Sequence, residues 1–176
     1  SWINPNRNSG SKDEVTQKLL DTMGAKKVIW APGVKDADIT DYHIDALVRF
    51  LRPGAFVIQL PDELDEEDPW SRSAFETFNI LEAARDLNGE FLQNAILPDP
   101  LNTRVKSKDF VASYVNWYVC NGAVIASEFG DMQRDAEVLS VLKEIYPGRE
   151  IVMMNTDPIG EVGGGIHCAT HEQPKV

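Results

Sequence analysis

The chain has 176 residues, 43% of them hydrophobic, and a formal net charge of -11 at pH 7. This length and apolar content suit one domain, or part of one, with a core of its own. The acidic balance excludes a nucleic-acid-binding surface, and no apolar run is long enough to cross a bilayer. No positively charged apolar leader opens the sequence, and its two cysteines make no disulfide framework, so we expect a reducing, cytoplasmic location.

The N-terminal segment predicts a helix followed by a strand. Ser11 and Glu14 have the spacing of a capping box, apolar residues follow at helical spacing, and Gly24 is a plausible end. The run KKVIWAP (26–32) is short, apolar and followed by glycine, which is typical of a buried strand.

The next segment predicts a hairpin and a second helix. Apolar and polar residues alternate over 42–50, and a Pro-Gly turn leads to AFVIQL (55–60), which indicates two antiparallel strands. After an acidic loop, Pro69 suits the first helical position. Apolar spacing then predicts a helix over 70–87 that is ended by Gly89.

The remaining chain repeats this order. We predict a strand at 91–96 and a hairpin of SYVNWYV (113–119) and AVIASEF (123–129) around an Asn-Gly turn. Asp131 then caps a third helix, EIVMMN forms a strand, and GGGIHCAT (163–170) makes a glycine turn into a final short strand. Because helices recur after pairs of strands, the pattern predicts a repeated α/β unit.

Cys168 is the first candidate for chemistry. It follows a run of glycines at 163–165, which permits positive φ and a close approach of ligand to backbone. We therefore assign Gly164 and Gly165 to substrate binding. A cysteine beyond such a turn can lie at the mouth of a cleft, and its thiolate is the nucleophilic form. The alternative is a glycine turn followed by a small buried cysteine.

His43 and Asp45 are the second candidate. On a strand, residues two apart project from one face, so imidazole and carboxylate would lie together. Histidine can transfer protons near neutral pH, and a carboxylate can orient it or bind a guanidinium bidentately. With Cys168 they make the set used in nucleophilic catalysis by an activated thiol. The alternative is a polar pair on an edge strand.

Metal and cofactor sites are less well supported by the sequence. His167, Cys168 and His171, with His43 and Asp45, offer nitrogen, sulfur and oxygen ligands for zinc. No CxxC or HExxH spacing is present, so we predict no metal. GEVGGGIH (160–167) fits neither the dinucleotide-binding nor the phosphate-binding glycine motif, so we predict no cofactor. We assign Trp30 to the substrate pocket, with a core position as the alternative.

These segments together resemble the agmatine deiminase and bacterial-type peptidylarginine deiminase family. The likeness is carried by NPNRN (4–8), VIWAPG (28–33), DITDYHIDALVRF (38–50), ASYVNWYVCNGAVIASEFGD (112–131) and GGGIHCATHEQP (163–174). The resemblance implies a pentein-type α/β propeller with pseudo-fivefold repeats, in which residues 1–176 form the C-terminal half of a single deiminase domain. The chain departs from the family pattern at Tyr42, where glycine is usual, and at His171-Glu172, where agmatine deiminases usually have glutamines.

The resemblance also implies an activity. It is the hydrolytic deimination of a small cationic guanidine, with agmatine giving N-carbamoylputrescine and ammonia as the leading reaction. Cys168 would attack the guanidinium carbon to form a covalent thiouronium, His43 would transfer protons, and Asp45 would hold the guanidinium nitrogens. Peptidyl-arginine is the alternative substrate, and a non-catalytic half is the alternative to an enzyme. We expect an N-terminal half as partner, and a homo-oligomer because part of a propeller leaves an open face.

Overall fold

A computed structural model describes residues 3, 8, 10–37, 41–107 and 109–173. Much of NPNRN and the DIT of DITDYHID therefore lie outside the described residues. The elements in chain order are α1 (Lys12–Met23), a 3-10 helix (Ile44–Ala46), β1 (Val48–Arg52), β2 (Ala55–Leu60), α2 (Pro69–Ala83), β3 (Gln93–Pro98), β4 (Tyr118–Cys120), β5 (Ala123–Glu128), α3 (Met132–Ile145), β6 (Glu150–Asn155), α4 (Asp157–Gly160) and a second 3-10 helix (His167–Ala169). No helix among these ranges is long and apolar enough to cross a membrane.

The strands form two three-stranded sheets built in the same way. In the first, β1 pairs antiparallel with β2, and β2 pairs parallel with β3. In the second, β4 pairs antiparallel with β5, and β5 pairs parallel with β6. A parallel pair needs a crossover, which α2 and α3 supply. The fold is therefore α/β, and the predicted recurrence of helices after strand pairs is confirmed.

Side-chain caps set the helix starts as the sequence predicts. Ser11 Oγ accepts the Glu14 N–H at 3.3 Å, and the Glu14 carboxylate accepts the Ser11 N–H at 2.7 Å, so the capping box is confirmed. Asp68 and Asp131 cap α2 and α3. Gly24 ends α1 with a φ of 62°. Each such cap stabilises its helix by about 1 kcal/mol.

The predicted extension of α2 to residue 87 is wrong, because α2 ends at Ala83. Arg85 leaves the helix to form an antiparallel bridge with Phe91. The Asp86 carboxylate then closes the turn by accepting the N–H groups of Asn88 at 2.8 Å and Glu90 at 3.0 Å. A side chain that satisfies local backbone donors in this way competes with helix continuation.

The main core lies between the two α/β units. It joins Val57 and Leu97 of the first sheet to β5 and α3 of the second unit, and its largest side chain is the fully buried Trp117. A second cluster packs the other face of the first sheet against α2. The loop 113–117 therefore runs through the interior between the units, which fixes the position of its polar side chains.

Segment 26–32 is not the predicted strand, since 27–34 have no regular backbone structure. Its polar groups bond to side chains of neighbouring helices instead. The Trp30 indole N–H donates to Thr16 Oγ1 of α1 at 3.0 Å, and the Ser73 hydroxyl of α2 donates to the Pro32 carbonyl at 3.2 Å. An apolar run can thus be half-buried under helices without joining a sheet.

Three further strand predictions are wrong at the places where side chains of the candidate site occur. β1 begins at Val48 rather than Tyr42, because the backbone turns as Ala46 N–H bonds to the His43 carbonyl at 3.1 Å. β4 begins at Tyr118 rather than residue 113. The last predicted strand is the second 3-10 helix, closed by Thr170 N–H to the His167 carbonyl at 3.2 Å. His43 and Asp45 therefore do not share a strand face.

Candidate active site

Three chain segments meet at the candidate site: the first 3-10 helix, the loop 113–117 and the second 3-10 helix. The Ser113 hydroxyl donates to the Ala46 carbonyl at 2.8 Å, which joins the first two segments. The His167 N–H donates to the Asn116 side-chain oxygen at 2.9 Å, which joins the second and third. Residues more than fifty positions apart in the sequence are thereby held side by side.

Asp45 is the charged centre of the site. Its Oδ2 accepts His167 Nδ1 at 2.7 Å, Asn116 Nδ2 at 3.0 Å and Cys168 Sγ at 3.4 Å. Burial raises the pKa of Asp45, but these three donors outweigh burial and hold that pKa below its ordinary value. Asp45 is therefore ionised at neutral pH, and its Oδ1 has no donor among the described residues.

The ionised carboxylate of Asp45 determines which ring nitrogen of His167 carries a proton. An ionised carboxylate can only accept, so the Nδ1 that lies 2.7 Å from Asp45 Oδ2 carries a proton. The His167 side chain is 34% exposed, against 20% for Asp45. Histidine and carboxylate thus form a half-buried pair beside the thiol. The sequence placed His167 only among the ligands of the rejected zinc site, because on a strand it would face away from Cys168.

Asn116 is the site residue that sequence reasoning missed. It is 1% exposed, and its Nδ2 donates to both the carbonyl oxygen and Oδ2 of Asp45 at 3.0 Å. Its Oδ1 accepts the His167 N–H at 2.9 Å and lies 3.4 Å from the Cys168 nitrogen. A lone amide within the apolar run YVNWYV was the available signal, because buried polar side chains need partners.

Cys168 is an exposed residue whose sulfur nevertheless lies against polar partners. Sγ is 3.4 Å from Asp45 Oδ2 and 3.4 Å from Asn116 Nδ2. Partial burial of the sulfur and the nearby Asp45 charge raise the pKa of the thiol, against hydrogen bonds from the Gly165 backbone and Asn116 that lower it. Without a bound cation, the thiol form therefore predominates at neutral pH.

The glycine turn shows why one of its members has no side chain. A Cβ on Gly165 would lie 2.2 Å from Asn116 Oδ1, so any larger residue would push the nucleophile turn away from the amide. A Cβ on Gly164 would meet Ile159 Cγ2 at 3.7 Å and Cys168 Cβ at 3.8 Å, both ordinary contacts. The assignment of Gly164 and Gly165 to substrate binding stays a prediction.

His43 and Trp30 are placed less directly by the structure. His43 is half-buried and lies two residues before Asp45 in the sequence. Trp30 packs on α1, with the Lys12 ammonium 5.5 Å from its ring centroid. The proton-transfer role of His43 and the pocket role of Trp30 remain predictions.

Tyr42, where the family pattern usually has glycine, has a φ of 70°. This is the left-handed region that glycine adopts without strain and a tyrosine rarely adopts. The Tyr42 ring packs edge-on against Trp70, with centroids 4.7 Å apart. This aromatic contact offsets part of the strain at a residue adjacent to His43.

Metal ligation was the competing interpretation of the Cys and His residues. Among the residues that the structure describes, no group of three or more His, Cys, Asp or Glu side chains is arranged to hold a metal ion. Two of the candidate zinc ligands, His167 and Cys168, instead direct Nδ1 and Sγ to Asp45 Oδ2.

Known protein families and curated proteins include relatives of this chain. The model of the Porphyromonas-type peptidyl-arginine deiminase family matches residues 1–174. The chain belongs to this family. The agmatine deiminase of Medicago truncatula is 34% identical over 195 residues, which cover 99% of this chain and 52% of that protein. The chain therefore spans about half the length of the curated relatives it matches.

Solved structures show the same partial coverage. The agmatine deiminase of Enterococcus faecalis is 26% identical with a TM-score of 0.85, over 98% of this chain and 52% of that one. A C. jejuni agmatine deiminase in which a cysteine is replaced by serine, with substrate bound, is 26% identical with a TM-score of 0.79. That match covers 94% of this chain and 48% of the other. The α/β fold is thus shared with deiminases along nearly the whole chain.

Proposed function

We propose that this chain is the C-terminal half of a deiminase that hydrolyses a guanidinium group through a covalent cysteine intermediate. The observation that carries the proposal is the placement of an exposed thiol 3.4 Å from an ionised carboxylate. Protein donors occupy Oδ2 of Asp45, and no residue that the structure describes donates to Oδ1, so a planar N–H donor such as guanidinium can bind there. A guanidinium on Oδ1 would bring its carbon beside the sulfur.

The electrostatics of the site favour a cationic substrate. The pKa of Cys168 is raised by partial burial and by Asp45, so the thiol by itself is a weak nucleophile at neutral pH. A bound guanidinium would place a positive charge beside both groups, and an opposite charge at that range lowers the pKa of a thiol. Substrate binding would therefore generate the thiolate, and the net charge of -11 would draw cations to the protein.

The reaction has two halves. The Cys168 thiolate attacks the guanidinium carbon and forms a C–S bond, then one C–N bond breaks and ammonia leaves with a proton supplied by His43. The product of this half is a thiouronium on Cys168. In the second half, water gives one proton to His43 and adds to the same carbon. The C–S bond then breaks and the hydroxyl proton of the adduct passes to bulk water, which releases the neutral ureido product and the thiolate.

Agmatine is our leading substrate, and the reaction would yield N-carbamoylputrescine and ammonia. Relatives that align with nearly all of this chain are named agmatine deiminases. Peptidyl-arginine is the second candidate, because the matching family model bears that description. The two share the guanidinium and differ at the far end of the substrate, where charge and bulk decide which one binds.

We further propose that residues 1–176 form part of a five-unit propeller, completed by an N-terminal half. The motivating observation is that the chain contributes two units of one construction and matches about half of each relative. The N-terminal half of the protein would supply a further carboxylate for the guanidinium. Without it, we expect the open face to promote self-association, so light scattering should show oligomers of the chain alone and a defined assembly once the N-terminal half is added.

Ammonia release tests the proposal. The chain is assayed alone and with the N-terminal half of the Medicago truncatula agmatine deiminase, ending where its match to this chain begins. Agmatine, free arginine and a peptidyl-arginine are compared, with Cys168→Ala as the matched control. We expect release only when both halves and Cys168 are present, with agmatine preferred. Turnover that persists in Cys168→Ala contradicts the mechanism, whereas folded protein that is silent in every combination favours a non-catalytic module.

A further inference from the structure

The side chain of Asn116 contacts both Asp45 and the turn that carries Cys168. Its side chain is 1% exposed, and its amide reaches Asp45 on one side and the His167-Cys168 turn on the other. Nδ2 lies 3.0 Å from Asp45 Oδ2 and 3.4 Å from Cys168 Sγ, so the same donor group faces carboxylate and sulfur.

The chemistry of these contacts requires an amide. Asp45 Oδ2 accepts from the amide nitrogen while the amide oxygen accepts the His167 N–H, and an amide carries a donor and an acceptor on one carbon. A carboxylate at position 116 would set two negative charges against each other, and an apolar residue would leave buried donors and acceptors unpaired.

The nucleophile turn is fitted to this amide. A Cβ on Gly165 would approach Asn116 Oδ1 to 2.2 Å and its Cγ to 2.7 Å, so the absence of a side chain there lets the turn close on the amide. Gly163 and Gly164 show no such contact. Of the three glycines, Gly165 is the one at which Asn116 leaves no room for a side chain.

We infer that Asn116 is the positioning residue of this site: it holds the guanidinium-binding carboxylate of Asp45 at a fixed distance from the Cys168 sulfur and directs an N–H at the thiolate. The inference deepens the proposed function and rests on it for the roles of Asp45 and Cys168. The geometry and the thiol's ionisation can be tested whether or not the chain turns over a guanidine. The hydrogen bond from Asn116 also opposes the rise in the pKa of Cys168.

The test measures the rate at which iodoacetamide modifies Cys168, as a function of pH. Site-resolved mass spectrometry reports Cys168 and uses Cys120, which is half-buried in the β4–β5 hairpin, as an internal reference. Asn116→Asp keeps the size and shape of the side chain but replaces the donor by a negative charge. We expect it to move the Cys168 profile to higher pH and to slow alkylation at pH 7.5 about tenfold.

Two further variants separate positioning from general loop stability. Ser113→Ala removes another hydrogen bond between the same two segments, to the Ala46 carbonyl, without touching thiol or carboxylate. Ser113→Ala should leave the pH dependence of Cys168 alkylation unchanged. Gly165→Ala leaves Asn116 unchanged but pushes it from the turn, so it should shift the profile in the same direction as Asn116→Asp. Circular dichroism shows whether each variant is folded. If Asn116→Asp does not fold, the alkylation profile of Gly165→Ala tests the inference in its place.

The inference is overturned if the folded Asn116→Asp protein has the wild-type alkylation profile, or if Ser113→Ala shifts it equally. With the N-terminal half present, we also expect Asn116→Asp to lower kcat for agmatine by more than it raises KM, because the thiolate is needed after binding. Absence of agmatine turnover in the wild type would count against the proposed function but would leave the alkylation comparison intact.

Discussion

Replacing Asp45 by asparagine should make the thiol of Cys168 more reactive while removing the guanidinium-binding charge. The sulfur lies 3.4 Å from Asp45 Oδ2, and that carboxylate helps to raise the pKa of the thiol. Two unit charges at that distance repel by about 1 kcal/mol in water and by about 5 kcal/mol at an effective dielectric constant of 20. Because Cys168 is exposed, solvent screening favours the lower end, about 1–2 kcal/mol, which corresponds to a roughly tenfold larger thiolate fraction.

The assay is iodoacetamide modification of Cys168 at pH 7, where the rate follows the thiolate fraction. Asp45→Asn should react about tenfold faster than the wild type, and the assembly of this variant with an N-terminal half should lose ammonia release from agmatine. Glu144→Gln, on the exposed side of α3, is the matched control for a change of one unit in net charge. An unchanged or slower rate in Asp45→Asn, or an equal gain in Glu144→Gln, would refute the local electrostatic argument.

Three other predictions concern stability. Asp131→Ala should lower the free energy of unfolding by about 2 kcal/mol in urea titrations, since it removes the α3 cap to the Arg134 N–H and the 2.9 Å bond from the Leu101 N–H. Asp131→Asn should keep most of that stabilisation. Equal losses in the two variants would contradict the role of Asp131 as a cap. Gly122→Ala should cost about 1 kcal/mol through backbone strain alone, because φ is 81° and nothing lies within 4 Å of an added Cβ; a neutral Tm would contradict this. The pKa values of Asp45 and Asp131 are lowered in the folded state, so their stabilisation is complete above the pKa of unfolded Asp and is lost as pH falls through the lower folded values. The Tm should therefore decrease as the pH is lowered past about 4, and the decrease should be smaller in Asp131→Asn than in the wild type. A Tm that stays flat or rises on acidification would contradict the stabilising role of these carboxylates.

Local chemistry made part of the fold predictable. The capping box at Ser11 and Glu14 and the Asn-Gly turn at 121–122 both depend on groups within four residues, and both were predicted correctly. The order of strands and helices from β1 to β6 followed from apolar spacing. Segment 26–32 was mispredicted because its apolar residues pack under α1 and α2, and spacing alone does not show whether a neighbouring strand exists.

The candidate site was only partly predictable, because its geometry comes from contacts between distant segments. Cys168 and Asp45 were found from their chemistry, but the turns that bring them together depend on bonds across 123 residues. Asn116 was hidden in a predicted strand, since its partners lie 51 to 71 residues away in the sequence. His167 was misplaced by the same error, because on a strand it would face away from Cys168 whereas the 3-10 helix brings it to Asp45.

The most direct test of the central claim is to look for the covalent intermediate. The chain is assembled with an N-terminal half, mixed with agmatine, quenched with acid during the first turnovers and analysed by mass spectrometry. We expect a mass increase on Cys168 equal to agmatine less ammonia, which disappears as substrate is exhausted and does not occur in Cys168→Ala. Ammonia release with Cys168 unmodified at every quench time, and undiminished in Cys168→Ala, would contradict it.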